Sequence, residues 1–235
     1  MRRFDLKSLL RFFRLRRRRI AVIPAVNCKD TPCVVERLST LRPLGFKYVH
    51  LDVADGAFAP ASLLMESGAP DAVKEHAKGM FIEVHLMVTK PLLEIDRWVA
   101  AGVRRVLIHV ETLGIREFTD NFFALKKKHP RLEIGVSILP ETDAEEAVPY
   151  VAVCGFAQCL AVHPGYSGQT FITGAIEKVE YLRRDLPACV IEIDGGITPE
   201  LATRAREAGA DIVVSGAYLW DAPDFMKAYA ELRHA

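Results

Sequence analysis

The sequence contains no CxxC cysteine pair, no G-x-G-x-x-G after its first candidate strand, and no apolar run near the ~18 residues that a membrane-crossing helix needs. Without CxxC spacing, the five cysteines (Cys28, Cys33, Cys154, Cys159 and Cys189) are poor metal ligands. Their odd number, with no secretory signal, reads as reduced cytosolic thiols. The missing glycine fingerprint weakens a dinucleotide-binding reading. Half of the 235 residues are hydrophobic and 26% are charged, a balance that suits a globular chain rather than a disordered one.

Net charge is +1, unevenly spread. Residues 1–19 carry nine Arg or Lys against the single acid Asp5, which leaves the rest of the chain at −7. The acidic body gives no reason to expect nucleic-acid binding. In the arm, Leu6, Leu9, Leu10 and Phe13 recur at helical spacing. Two readings follow: a basic amphipathic helix that touches anionic lipid or RNA, or a loose tail lying upstream of the true start. The apolar residues are broken by Arg and no small-residue cleavage site follows, so it does not read as a secretory signal.

From residue 20 the pattern alternates. Candidate strands are 20–26, 46–53, 80–88, 104–110, 132–138, 156–162, 189–194 and 211–216. Candidate helices are 31–41, 70–78, 91–101, 115–128, 142–152, 174–185, 198–208 and 222–233. Thr198-Pro199-Glu200 reads as an N-cap followed by proline, and Gly45, Gly102 and Gly209 follow helical stretches. Strand–helix alternation implies a parallel sheet. Eight such units predict an α/β chain closed as a (β/α)8 TIM barrel, a single domain over residues 20–235 behind the short basic extension 1–19. An open doubly wound sheet is the alternative.

In such a barrel, chemistry sits at the C-terminal ends of the strands. His50 and Asp52 end the second candidate strand and, two residues apart, leave it on one face. His85 ends the third and Asp194 the seventh. Together they read as a four-ligand site for one divalent metal ion (Zn, Fe, Mn or Co). Asp55-Gly56 is a turn signal, read equally as turn support or substrate contact. His109 and Glu111 end the fourth strand and read as polar lining more than as partners of the site. His163 also lies at the mouth. Met65, Met80 and Met87 read as core or pocket wall.

Three glycine turns follow the last three strands: PGYSGQ (164–169), DGG (194–196) and SGA (215–217). Backbone N–H groups of such turns can cradle a phosphate. Phosphate at one end and a metal flanked by two acids point to a phosphorylated sugar or sugar acid. A metal holding a ketone and its neighbouring hydroxyl would stabilise an enediolate. Asp52 could remove the proton between them and Asp194 return one to the other face. No nicotinamide, flavin or nucleotide is needed.

The stretches HLDVADGAFAP, EVHLMVTKP, HPGYSGQTF, IEIDGGIT and GADIVVSGA, in this order, resemble the ribulose-phosphate 3-epimerase family over residues 20 to about 232. The resemblance implies a (β/α)8 barrel of the pentose phosphate pathway. Such enzymes interconvert D-ribulose 5-phosphate and D-xylulose 5-phosphate with one divalent metal. It also implies His50, Asp52, His85 and Asp194 as ligands, with Asp52 as proton acceptor and Asp194 as donor. Substrate and phosphate contacts fall to His50, His85, Gly165, Tyr166, Ser167, Gly168, Gly195, Gly196, Gly216 and Ala217. A cytoplasmic homo-oligomer is implied as well. The chain departs from the pattern at Pro24, Ala54, Ala57, His163 and Ala217, where the family commonly has serine, methionine, histidine, glutamate and serine. Smaller residues at 54 and 57 keep open a six-carbon ketose phosphate such as D-allulose 6-phosphate. A decarboxylase or aldolase barrel would need lysine where Asp52 stands. A non-catalytic barrel with a lipid- or RNA-binding arm is the remaining alternative.

Overall fold

The computed structural model describes residues 19–235, so the expectation for the basic arm falls, Arg19 aside, outside the described residues. Every candidate strand forms. The barrel strands are β1 (Ala21–Val26), β2 (Tyr48–Asp55), β4 (Phe81–Met87), β5 (Arg105–His109), β6 (Glu133–Ile138), β7 (Phe156–Leu160), β8 (Val190–Asp194) and β9 (Ile212–Ser215). They run parallel in the order β1-β9-β8-β7-β6-β5-β4-β2, and β2 pairs back with β1 through Ala25 against His50, which closes the barrel. The open-sheet alternative is thereby excluded.

The helices follow where expected: α1 (Thr31–Leu41), α2 (Ala69–His76), α3 (Ile95–Ala100), α4 (Ile115–Lys128), α5 (Ala144–Cys154), α6 (Gly174–Asp185), α7 (Pro199–Ala208) and α9 (Phe225–His234). Asp30 caps α1 by accepting from the N–H of Cys33, and Thr198 caps α7 by accepting from that of Leu201. Gly209 ends α7 in the left-handed region at φ 113°. Three local elements carry too few residues for a periodic signal. These are β3 (Ser62–Leu63), antiparallel to the end of β2; the 3-10 turn Pro91–Leu93, which splits the expected 91–101 helix; and α8 (Ala217–Trp220).

One expectation is overturned. Cys28 and Cys33 form a disulfide with Cα atoms 5.7 Å apart, and only Cys154, Cys159 and Cys189 are free thiols. The chain turns from β1 into the first turn of α1 between them, which sequence spacing alone does not disclose. Among the described residues, no helix is long and apolar enough to cross a membrane.

The main core packs the outward faces of the strands against the helices, with Trp98, Leu38 and Leu41 fully buried. A separate apolar cluster of Ile23, Ala25, Leu107, Phe156, Ile212 and Val214 fills part of the barrel interior. Between these stand buried polar side chains rather than aliphatic ones: His50, Glu83, His85, His109, Gln158 and Glu192. Barrel interiors are normally layers of branched apolar residues. A charged interior layer costs solvation and therefore marks where the fold serves something besides stability.

Gly135 shows how tightly the interior is filled. A Cβ there would lie 2.6 Å from Phe156 Cδ1 and 2.7 Å from Leu107 Cδ2. Gly135→Ala is expected to destabilise the protein by about 1–3 kcal/mol through overpacking, lowering the urea midpoint with the slope unchanged. An unchanged midpoint would show that the interior yields at no cost.

Candidate active site

Period-2 alternation sends His50 and Asp52 of β2, Glu83 and His85 of β4, His109 of β5 and Glu192 and Asp194 of β8 to one side of their strands, into the barrel. Closure then brings β8 within reach of β2. His50, Asp52, His85 and Asp194 each offer a ligand atom within 4.8 Å of the others, and all but Asp194 are buried. His50 Nε2 lies 3.4 Å from Asp52 Oδ1 and 3.7 Å from Asp194 Oδ2. The four residues expected from sequence are thus one cluster.

A chain of three contacts runs through His85: His109 Nδ1 faces Glu111 Oε2 at 3.1 Å, His109 Nε2 faces His85 Nε2 at 2.8 Å, and His85 Nδ1 faces Asp52 Oδ1 at 3.1 Å. Two neutral rings supply hydrogens to only two of these three contacts. With His109 donating to Glu111 and His85 to His109, it is the His85 Nδ1 lone pair that faces Asp52. Glu111 is itself anchored by the Leu139 N–H and the Thr142 hydroxyl. His109 and Glu111 are therefore partners of the site and not mere lining. Burial pushes His85 down to about 4, so the ring is neutral near pH 7.

That arrangement sets two acceptors against each other unless a cation lies between them. His50 Nε2 gives the same indication, being buried with no hydrogen-bond partner while two carboxylates face it. Ligand atoms 2.0–2.2 Å from one tetrahedral ion stand roughly 3.3–3.6 Å apart, close to the separations seen here. Two imidazoles and two carboxylates also form an ordinary donor set for a first-row divalent ion. The residues fit a metal, without selecting which. A second triad, His50, Glu83 and Glu192, is also close enough to hold an ion, but there Arg105 already pairs with Glu83 at 2.6 Å.

The two acids differ electrostatically. Burial works against ionising Asp52, but the neighbouring His50 outweighs it and holds Asp52 below the usual carboxylate range. Burial raises Asp194 against the pull of His50, and the neighbouring Asp52 and Glu83 charges raise it further. Burial also opposes charging His50, yet the Asp52 and Glu83 carboxylates beside it prevail and lift it well above its ordinary value. The site holds a surplus of negative charge and favours a cation in its middle.

Above the cluster opens a cavity of about 610 Å³. Gly165, Tyr166, Ser167, Gly168, Gly195, Gly196, Gly216 and Ala217 all line it, together with Asp52, His85 and Asp194. The three glycine turns and the acidic cluster therefore share one chamber. Of the departures from the family pattern, His163 and Ala217 line it, whereas Pro24, Ala54 and Ala57 do not. His163 is mostly exposed and pairs with Glu141 at 2.9 Å. Ala54 is buried in a small cluster with Ala59, Ala61, Leu63 and Met87. Asp55 accepts from the N–H groups of Ala57, Phe58 and Thr89 and from the Thr89 hydroxyl, so it supports the turn.

Sequence reasoning passed over Asn27. Its amide donates to Asp52 Oδ2 at 3.0 Å and to the Gly165 carbonyl at 2.9 Å, tying the acid to the glycine-rich loop. It also passed over Glu83, Arg105, Gln158 and Glu192. The available signal was parity: Glu83 and Glu192 stand two residues before His85 and Asp194, and so share their inward face.

Comparison with known proteins agrees with this geometry. A family described as "Ribulose-phosphate 3 epimerase family" matches residues 21–220. The ribulose-phosphate 3-epimerase of Chlamydia trachomatis is 29% identical, the match covering 88% of this chain and 89% of that one. The enzyme named as the cytoplasmic isoform in Oryza sativa is 30% identical, over 90% of this chain and 92% of that one. A solved 3-hexulose-6-phosphate synthase superposes with a TM-score of 0.68 at 16% identity, covering 92% and 99% of the two chains, a likeness of fold.

Gly195 has φ +107°, and a Cβ there would lie 2.4 Å from Val162 Cγ2. Gly195→Ala is expected to cost about 1–3 kcal/mol of stability and to weaken inorganic phosphate binding, measured by urea unfolding and calorimetric titration. Unchanged phosphate affinity would remove this turn from the ligand site.

Proposed function

The chain belongs to the ribulose-phosphate 3-epimerase family, and on that premise we propose that it interconverts D-ribulose 5-phosphate and D-xylulose 5-phosphate by proton transfer between two carboxylates. The observation that carries this reading is the placement of Asp52 and Asp194. They come from β2 and β8, lie 3.4 and 3.7 Å from the buried His50 Nε2, and line a chamber walled by glycine turns. A carbon seated between them is exposed to an acid on each face.

The substrate phosphate would sit against the backbone N–H groups of the turns after β7, β8 and β9, placing carbon 3 over the cluster. Asp52, held ionised by the neighbouring His50, takes the proton from one face. Asp194, whose surroundings favour the protonated form, returns a proton to the other. Asn27 steadies the Asp52 oxygen that faces away from His85. A divalent ion held by His50, Asp52, His85 and Asp194 would stabilise the negative charge that develops on the ketone oxygen.

A five-carbon substrate is preferred over a six-carbon one because Ala54 and Ala57, the smaller residues that suggested extra room, do not line the cavity. The reading carries a cytoplasmic location and a homo-oligomer with it. The Cys28–Cys33 bond pulls against a reducing compartment. Exposed Leu93 and Phe123, 74% and 63% accessible, suit a surface covered by another copy.

The test is deuterium uptake at carbon 3 in heavy water with metal-loaded protein, starting from each pentose phosphate in turn. Asp52→Asn is expected to abolish exchange into ribulose 5-phosphate. Asp194→Asn should permit that exchange while losing epimerisation by roughly 10²–10⁴-fold. Metal content is measured alongside. Either variant retaining full epimerase activity with its metal bound would sink the two-acid assignment.

A further inference from the structure

Beneath the cluster, the barrel interior holds a charged layer that the proposed reaction does not use. Glu83 is fully buried and divides its two oxygens between two partners. Oε1 lies 2.7 Å from His50 Nδ1, and Oε2 lies 2.6 Å from Arg105 Nη1. Arg105 in turn donates to Glu133 through Nη2 at 2.6 Å and Nε at 2.9 Å, and its guanidinium lies 4.1 Å from the centroid of the Phe156 ring. Each of its three nitrogens thus donates to a carboxylate, which restrains the guanidinium beside Glu83. Glu192 completes the layer, its Oε1 3.8 Å from His50 Nδ1 and 3.1 Å from Gln158 Nε2.

The layer does not exist to stabilise the fold. Burying such ion pairs gives back less attraction than the solvation it removes, and apolar side chains of similar size would serve a barrel interior as well. What the layer does constrain is His50. A ring nitrogen 2.7 Å from a carboxylate oxygen carries a hydrogen, so Nδ1 is the N–H and Nε2 is the nitrogen left to meet a cation. Nε2 lies 3.4 Å from Asp52 Oδ1 and 3.7 Å from Asp194 Oδ2 and has no hydrogen-bond partner.

We propose that Glu83 and Arg105 are positioning residues for the cation site. Glu83 holds the proton on His50 Nδ1 so that Nε2 is free to ligate, and Arg105 locks Glu83 by its second oxygen. This rests on reading the four-residue cluster as a metal site. The wild-type control in the test isolates that premise.

The test is zinc affinity by chelator competition, with ¹⁵N NMR of the His50 tautomer in the metal-free protein. Wild type, Glu83→Gln, Arg105→Met, Arg105→Lys and the double variant Glu83→Gln/Arg105→Met are compared. Loss of the oriented carboxylate should weaken zinc binding 10- to 100-fold in Glu83→Gln. Arg105→Met should show a loss of the same order, Arg105→Lys should recover most of it, and the double variant should be no weaker than Glu83→Gln alone. The Nδ1–H signature of wild type should weaken in Glu83→Gln. Folded Glu83→Gln protein with wild-type zinc affinity and an unchanged His50 signature would overturn the proposal. So would independent, additive losses in the double variant. Arg105→Lys, which keeps a cation in the layer, supplies the comparison should Arg105→Met not fold. Wild-type protein that binds no zinc, manganese or cobalt would overturn the metal reading itself, a result distinct from the others.

Discussion

The His50 imidazole has carboxylates on both of its nitrogens, and the rest of the site is arranged around that fact. Glu83 and Glu192 approach from below, and Asp52 and Asp194 from above. Four acids around one buried ring cannot all remain ionised without compensating positive charge. Arg105 supplies it on the lower side. On the upper side no Arg or Lys among the described residues pairs with either acid, and the two are driven apart, Asp52 downward and Asp194 upward. The asymmetry comes from their neighbours: Asp52 has His50 beside it, whereas burial and the Asp52 and Glu83 charges outweigh the pull of His50 on Asp194.

Closure of the barrel makes this asymmetry usable. An open sheet would leave β8 and β2 far apart, whereas here only β9 and β1 lie between them. Side-chain alternation then delivers two acidic levels from the same strands: Glu192 below Asp194 on β8, and Glu83 below His85 on β4. The lower level orients ring nitrogens and the upper level faces the chamber. Glu111 acts in the same sense from β5, reaching His85 through His109. Both histidines of the cluster therefore have one nitrogen committed to a carboxylate-anchored partner and the other turned toward Asp52. Their free nitrogens are of opposite kind, Nε2 for His50 and Nδ1 for His85.

Much of this was legible in the sequence, for physical reasons. Eight apolar runs of strand length separated by amphipathic stretches leave little besides a barrel. Polar residues that interrupt those runs near their C-terminal ends, as His50, Asp52, His85 and Asp194 do, mark the mouth. The lower charged layer was harder to see. Glu83, Arg105, Gln158 and Glu192 sit near the start or middle of their strands, where one polar residue is ordinarily taken as solvent-facing. Their inward direction becomes evident only when parity is counted back from His85, His109 and Asp194. Asn27 carried no signal because its partners are 25 and 138 residues away. The Cys28–Cys33 bond was missed because spacing gives no Cα separation. Residues flagged as altered wall, Ala54 and Ala57, proved to lie off the cavity: Ala54 pairs with Leu63 of β3 and is covered by Ala59, Ala61 and Met87.

Asn27 joins the two halves of the chamber. Its single amide nitrogen holds both Asp52 Oδ2 and the carbonyl of Gly165, so Asp52 and the glycine-rich loop share one anchor at the end of β1. An Asp52 oxygen fixed from that side presents its other oxygen toward His50, His85 and the space between the acids. The Gly165 loop and Asp52 are thus linked through two hydrogen bonds of ordinary length. In the proposed reaction this makes phosphate binding and proton abstraction mechanically connected. Interactions remote from the reacting carbon then help to set its geometry, as expected when binding energy is used for orientation. The Cys28–Cys33 bond braces the chain immediately after Asn27, and the Asp30 cap of α1 braces it again.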